Sequence, residues 1–276
     1  MKAKKVYEFR TSGEIVSMGK DYYRNKFIDL LKEKYTENFK ITYNNSTNTI
    51  YIEKKSLFTF IKIDNFDLIT FDFNIEAPEC DIAFIKLNKL IKFDDNIKIN
   101  CNKLTIRGCE KLNNLPTINA KGIILIGLDN ITDLTPLNWE KLNYIEIMGL
   151  EKITEIPVNK LTDLRFFKVS YCNNLLTVPN EIIINRLYKN WVDNDDTQFI
   201  LFDNNLLQNL PTILLVPNGS IDIRANTNLI YKKIFKIKKW EIGNEIKSQY
   251  GFTLKGDIIV GGKYYKIYKK NSFYES

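Results

Sequence analysis

Between Leu104 and Leu229 the chain returns again and again to one arrangement of apolar and polar positions. LTIRGCEKLNNLP sets Leu104 and Ile106 two apart, then Leu112 and Leu115 three apart, then a proline. IILIGLDNITDLTP repeats the line with Ile123, Leu125, Ile131 and Leu134. IEIMGLEKITEIP does so with Ile145, Ile147, Ile153 and Ile156, and FKVSYCNNLLTVP with Phe167, Val169, Leu175 and Val178. FILFDNNLLQNLP follows with Phe199, Leu201, Leu207 and Leu210; IDIRANTNL, with Ile221, Ile223 and Leu229, closes the series. The leading apolar residues are 19, 22, 22, 32 and 22 positions apart. Self-similarity at this period predicts a solenoid, in which each turn covers the apolar edge of the one before. IKIDNFDLITFDF and FIKLNKLIKF read as degenerate earlier copies.

The alternating pair at the head of each line predicts a short strand with one face inward. The slot five residues after the first apolar position holds Cys109, Leu128, Leu150, Cys172, Asn204 and Asn226. A side chain there can pack or bond beneath turning backbone, whose amides need partners. The closing proline stops helix continuation and favours an extended return. The longest step contains NEIIINRLYKNW, residues 180–191, which reads as a helix behind Asn180, followed by the acidic loop VDNDDTQ.

These lines resemble the leucine-rich repeat family, whose consensus is LxxLxLxx(N/C)xLxxLP; Gly108–Pro116 is the nearest match. The resemblance implies an α/β leucine-rich-repeat solenoid over residues 57–230, with a parallel sheet on its concave face. Residues 1–56 read as a small α+β cap: a strand at KVYEF, a helix over DYYRNKFIDLLKEKY with Tyr23, Phe27, Leu30, Leu31 and Tyr35 on one face, and a hairpin of FKITYN and TIYIEK. Residues 231–276 read as a basic C-terminal cap, with a short helix at WEIGNEIKSQY and a hairpin around Gly261-Gly262.

The resemblance also implies that the concave face binds another protein. The residues that flank the inward pairs and face outward are Thr105 and Arg107, Ile124 and Ile126, Glu146 and Met148, Lys168 and Ser170, Ile200 and Phe202, and Asp222 and Arg224. Arg107, Ile124, Ile126, Glu146, Met148, Lys168, Ile200, Phe202 and Arg224 are the candidate contact residues. An apolar patch with a charged rim is the signature of a contact surface.

Composition narrows the chemistry. The 276 residues contain no histidine, which removes the commonest general base, the commonest zinc ligand and every Ser-His or Cys-His pair. No P-loop, GxGxxG, GxSxG, HExxH or EF-hand line occurs. Cys109 and Cys172 occupy the repeat slot, which argues for burial and against a nucleophile. No catalytic residue, cofactor or metal site is expected. Asp193, Asp195 and Asp196 read as solvated loop acids. The four cysteines have no framework spacing, and the start of the chain has no apolar stretch behind its basic residues. Both point to an intracellular, cytoplasmic protein. No apolar run approaches the roughly 20 residues of a membrane span.

The charge is uneven. Residues 224–276 carry twelve Lys or Arg against four Asp or Glu, and the remainder of the +7 chain is close to neutral. Tyr231, Phe235, Trp240, Tyr264, Tyr265 and Tyr268 alternate with these cations. A solvated cap with aromatics on the last turn accounts for the pattern; a nucleic-acid or other anionic surface is the alternative partner. The expectation is thus a non-enzymatic protein-interaction module. The alternatives are a structural subunit of a larger assembly such as a virion or phage particle, or an adaptor for nucleic acid. Retention on immobilised single-stranded DNA is expected to be weak and to fall steeply with salt. It should vanish when Lys232, Lys233, Lys236, Lys238 and Lys239 become Gln. A salt-resistant, sequence-selective complex would make this end the working surface.

Overall fold

The computed structural model describes residues 7–11, 14–18, 20–64, 66–185, 197–216, 219–223, 226, 239–242, 245–247 and 253–255. Side chains are described within residues 22–226 of those ranges. The architecture is a solenoid of mostly parallel strands with one α-helix and one short 3-10 turn among the described residues. In chain order the elements are β1 (Tyr7–Thr11), β2 (Glu14–Met18), α1 (Lys20–Tyr35), β3 (Phe39–Asn44), β4 (Thr49–Lys54), β5 (Phe60–Asp64), β6 (Thr70–Phe71), β7 (Asn74–Ile85), β8 (Lys92–Phe93), β9 (Lys98–Arg107) and β10 (Thr117–Ile126). They continue with β11 (Tyr144–Met148), β12 (Lys160–Leu164), β13 (Phe166–Ser170), β14 (Glu181–Ile184), β15 (Thr197–Phe202), β16 (Ile213–Val216), β17 (Ser220–Asp222), β18 (Lys239–Ile242), β19 (Glu245–Lys247) and β20 (Thr253–Lys255).

The main sheet has twelve strands in the order β20-β19-β17-β15-β13-β11-β10-β9-β7-β4-β3, with β5 also paired to β7. At the apolar pairs its repeats stack in register, with shifts only earlier in the strands, between Ala77 and Asp81 and between Thr197 and Phe199. One inward column runs Ile61, Ile82, Leu104, Ile123, Ile145, Phe167, Phe199 and Ile221. The next runs Ile63, Phe84, Ile106, Leu125, Ile147, Val169 and Leu201. All of these side chains are buried. The far side of the core is filled by Leu112, Ile131, Ile153, Leu175 and Leu207, each on a tight turn whose N–H donates to the carbonyl three residues earlier where the slot residue is Cys109, Leu128, Cys172 or Asn204. Full burial of such a side chain stabilises by about 1.5–3 kcal/mol, so the columns supply most of the driving force. The degenerate copies before residue 100 are therefore true turns: β5 and β7 enter the same columns.

A second parallel sheet, β12-β14-β16-β18, was not foreseen from the sequence. Leu161, Ile182, Leu214 and Trp240 align across it. It corrects two expectations. Residues 181–184 of the supposed helix at 180–191 form β14, and WEIGNEIKSQY contributes β18 and β19 in place of a short helix. In both places strand partners from the preceding turn are present, and the run Ile182–Ile184 is β-branched. Pairing with a neighbouring turn overrides a local helical pattern. The remainder of the 180–191 segment, the acidic residues of VDNDDTQ before Thr197 and the expected hairpin at Gly261-Gly262 lie outside the described residues.

At the N-terminal end, α1 closes the core. Phe27 and Leu31 are buried, and the Phe27 ring meets Phe66, Phe71 and Phe73 at centroid distances of 5.6, 5.5 and 5.0 Å. Tyr35, at the end of the helix, serves the edge of β5: its hydroxyl donates to the Lys62 carbonyl at 2.8 Å and accepts from the Lys62 N–H at 2.9 Å. The expected hairpin is β3-β4, and β4 pairs in parallel with β7, so the sheet runs unbroken from this unit into the repeats.

Ile147 lies in a middle turn and is fully buried. Ile147→Asp places an unpaired charge in the core and should cost about 3–5 kcal/mol, enough to unfold the array. Circular dichroism melting is the check; an unchanged cooperative melt would refute this register.

Candidate partner-binding face

The side chains that alternate with the buried columns point out of the main sheet. Two outward columns carry the candidate residues. The first aligns Thr105, Ile124, Glu146, Lys168, Ile200 and Asp222; the second aligns Arg107, Ile126, Met148, Ser170 and Phe202. The structure thus brings eight of the nine candidates onto one face in adjacent positions; Arg224 lies outside the described residues. Arg107 is exposed, and Ile124, Ile126, Glu146, Met148, Lys168, Ile200 and Phe202 are half-buried. Ile124, Ile126 and Met148 form the apolar centre of the face, two strands wide.

The charges have specific partners. Lys168 Nζ lies 2.9 Å from Glu146 Oε1, and the Tyr144 hydroxyl donates to Glu146 Oε2 at 3.2 Å. This half-buried pair neutralises itself, so it fixes side-chain positions on the face more than it attracts a partner. Ser170 is 1% exposed and its Oγ has no hydrogen-bond partner among the described residues.

A third outward column had been missed: Asp81, Lys103, Gly122, Tyr144 and Phe166. Tyr144 and Phe166 stack at 4.8 Å and 16°, and the Arg165 guanidinium lies 5.5 Å from the Tyr144 ring centroid. Lys103 Nζ is 3.6 Å from Asp81. A β-carbon added at Gly122 would lie 3.0 Å from Lys103 Cγ, so glycine lets that aliphatic stem lie flat. The same period-two alternation, followed one position further towards the start of each strand, marks this column in the sequence. Ala83 and Ile85 extend the first two columns into the degenerate repeats.

Beneath the face, the repeat slot is buried in every described turn: Leu87, Cys109, Leu128, Leu150, Cys172, Asn204 and Asn226. Its asparagines each bond the turning backbone of the preceding turn. Asn204 Oδ1 accepts from the Cys172 N–H at 3.0 Å while its Nδ2 donates to the Val169 carbonyl at 3.0 Å. Asn226 does the same for the Asn204 N–H, at 3.0 Å, and the Leu201 carbonyl, at 2.7 Å. The cysteines make weaker bonds within their own turn: Cys172 Sγ donates to the Ser170 carbonyl at 3.4 Å and Cys109 Sγ to the Arg107 carbonyl at 3.7 Å. Burial pushes the Cys109 thiol up and the Cys172 thiol up to about 11. Neither has the lowered pKa that a nucleophile needs. Among the described residues no three of His, Cys, Asp and Glu come together to hold a metal, and no helix is long and apolar enough to cross a membrane.

No family model, no curated protein and no solved structure matches this chain.

The slot chemistry has a direct check. Cys109 and Cys172 should resist a thiol reagent in the folded protein even at pH 9, where an ordinary thiol of pKa about 8.5 is mostly thiolate. Both should label at once after denaturation. Rapid labelling of either in native protein would reopen a chemical role.

Proposed function

We propose that this chain is a non-enzymatic protein-interaction module of leucine-rich-repeat type, and that it binds its partner through the outward columns of the main sheet. The observation that carries this reading is the alignment of Ile124, Ile126 and Met148 in adjacent positions on an outward face, beside an exposed Arg107. Half-buried apolar side chains on a sheet face keep part of their surface in water after folding, and a partner that covers it gains from its burial. The repeat line, with its Asn/Cys slot bonding the turning backbone, supports the family assignment. The four cysteines, all buried and none in a disulfide, support action in a reducing compartment, the cytoplasm of the cell or host.

The test needs a captured partner and a set of binding curves. Met148→Ala and Phe202→Ala should each weaken binding by about 1–3 kcal/mol, the range of a moderate hot spot, while the melting temperature hardly moves. Lys141→Ala, at the exposed end of the 3-10 turn Trp139–Lys141 in the connection between β10 and β11 and in none of the outward columns, should leave binding intact. Loss of binding with Lys141→Ala and none with the other two would place the working surface elsewhere.

A further inference from the structure

We infer that one edge of this face is a docking trough for an extended protein segment that carries a carboxylate at one end; the inference rests on the protein-binding role proposed above. The residue after the second outward column has a positive φ in turn after turn: Lys86 (52°), Gly108 (62°), Gly127 (61°), Gly149 (66°), Tyr171 (56°) and Asp203 (53°). These residues form one continuous line. The N–H of Lys86 donates to Arg107, that of Gly108 to Ile126, that of Gly127 to Met148, that of Gly149 to Ser170 and that of Tyr171 to Phe202, always to the carbonyl, at 2.8–3.0 Å. Left-handed backbone favours glycine. Yet Lys86, Tyr171 and Asp203 adopt it with side chains, so the conformation by itself does not demand three glycines in succession.

What Gly127 and Gly149 do is leave the middle of the line bare, while over Gly108 the Lys86 stem places its Cγ 3.5 Å from where a β-carbon would sit. A β-carbon on Gly127 would meet nothing within 4 Å, and one on Gly149 would meet only the Gly127 backbone, at 3.8 and 3.9 Å. Ile126 and Met148 stand beside this open stretch as its apolar wall. Its two ends differ in chemistry. At one end Lys86 and Arg107 are exposed, and neither has an acidic partner among the described residues. At the other, Tyr171 is 45% exposed and packs edge-on to Phe202 at 5.4 Å. Ser170, next to Gly149 in the ladder and turned to the outer face by strand alternation, has a buried hydroxyl with no partner among the described residues. Buried hydroxyls are normally paired.

The dimensions select the occupant. Four steps of strand spacing separate Lys86 from Tyr171, about 19 Å, which is roughly six residues of extended chain. An acid at the Lys86 end would meet two cations, one of them an Arg able to hold a carboxylate through two parallel bonds. Apolar side chains would cover Ile126 and Met148. A nucleic-acid strand fits less well, since two cations at one end leave most phosphates across 19 Å unmatched.

The probe is an array of hexapeptides with Leu, Ile, Val or Phe at five positions and Asp, Asn or Lys at the sixth, in both chain directions, exposed to the full-length protein. Asp-ended peptides should bind at least tenfold tighter than Asn-ended ones, and Lys-ended peptides should not be retained. The double variant Lys86→Gln/Arg107→Gln should lose the preference for Asp with an unchanged melting temperature. Gly127→Asn, which keeps the left-handed backbone accessible and puts a side chain in the trough, should abolish binding to every peptide. Indifference to the terminal charge, no binding of Asp-ended peptides, or full binding by Gly127→Asn would each overturn the trough. If the captured partner is lost on Met148→Ala while the array shows no charge preference, the face binds and the trough does not. If the partner survives both Met148→Ala and Phe202→Ala, the underlying reading of the face has failed instead.

Discussion

A single turn of this chain cannot cover its own apolar edge. Leu104 and Ile106 are buried because Ile82 and Phe84 lie on one side of them and Ile123 and Leu125 on the other. Every other feature depends on that stacking. It sets the register, because a slip of one residue would turn a whole inward column outward. It also creates two vulnerable ends. The chain meets the N-terminal one with a helix whose Phe27 enters a cluster of phenylalanines and whose Tyr35 hydroxyl occupies the open backbone of an edge strand.

Stacking also explains why the repeats tolerate so much variation. The slot accepts Leu, Cys or Asn because each can end up fully buried, but by different physics. Leucine only fills volume. Asparagine reaches back to bond both a carbonyl and an amide of the preceding turn, and takes over in the last described turns, at Asn204 and Asn226. Cysteine lies between, with a weak S–H donor and a thiol that burial keeps protonated. The step from 22 to 32 residues is tolerated for a related reason: the strands on both sides of it, β13 and β15, still pair in register.

On the outer face the same ladder aligns residues that the sequence separates by about twenty positions. Glu146 finds Lys168, Tyr144 finds Phe166, and Ile124 and Ile126 find Met148 as an apolar neighbour. The ion pair and the aromatic stack satisfy themselves. Arg107 has no acidic partner among the described residues, and an exposed cation of that kind at the border of an apolar surface is where charge complementarity has most to contribute.

The sequence by itself determined the solenoid, the inward columns from Leu104 onward, the burial of the slot and the outward position of the described candidate residues. A period of two within strands and of about 22 between them is a local signal, repeated often enough to read. It also determined the helix and hairpin at the start, whose apolar spacing is regular. Tertiary structure decided the rest. Short segments such as Lys160–Leu164 and Glu181–Ile184 became a second sheet only because partners of matching register stood beside them, and the pattern around Trp240 became strand for the same reason. The weak copies at β5 and β7 were recruited by the strong columns next to them. The third outward column and the bare glycine line are properties of neighbouring turns, not of any one turn. No window of sequence shorter than the whole stack contains them, because what defines each is contact between residues that only the stacking of turns brings together.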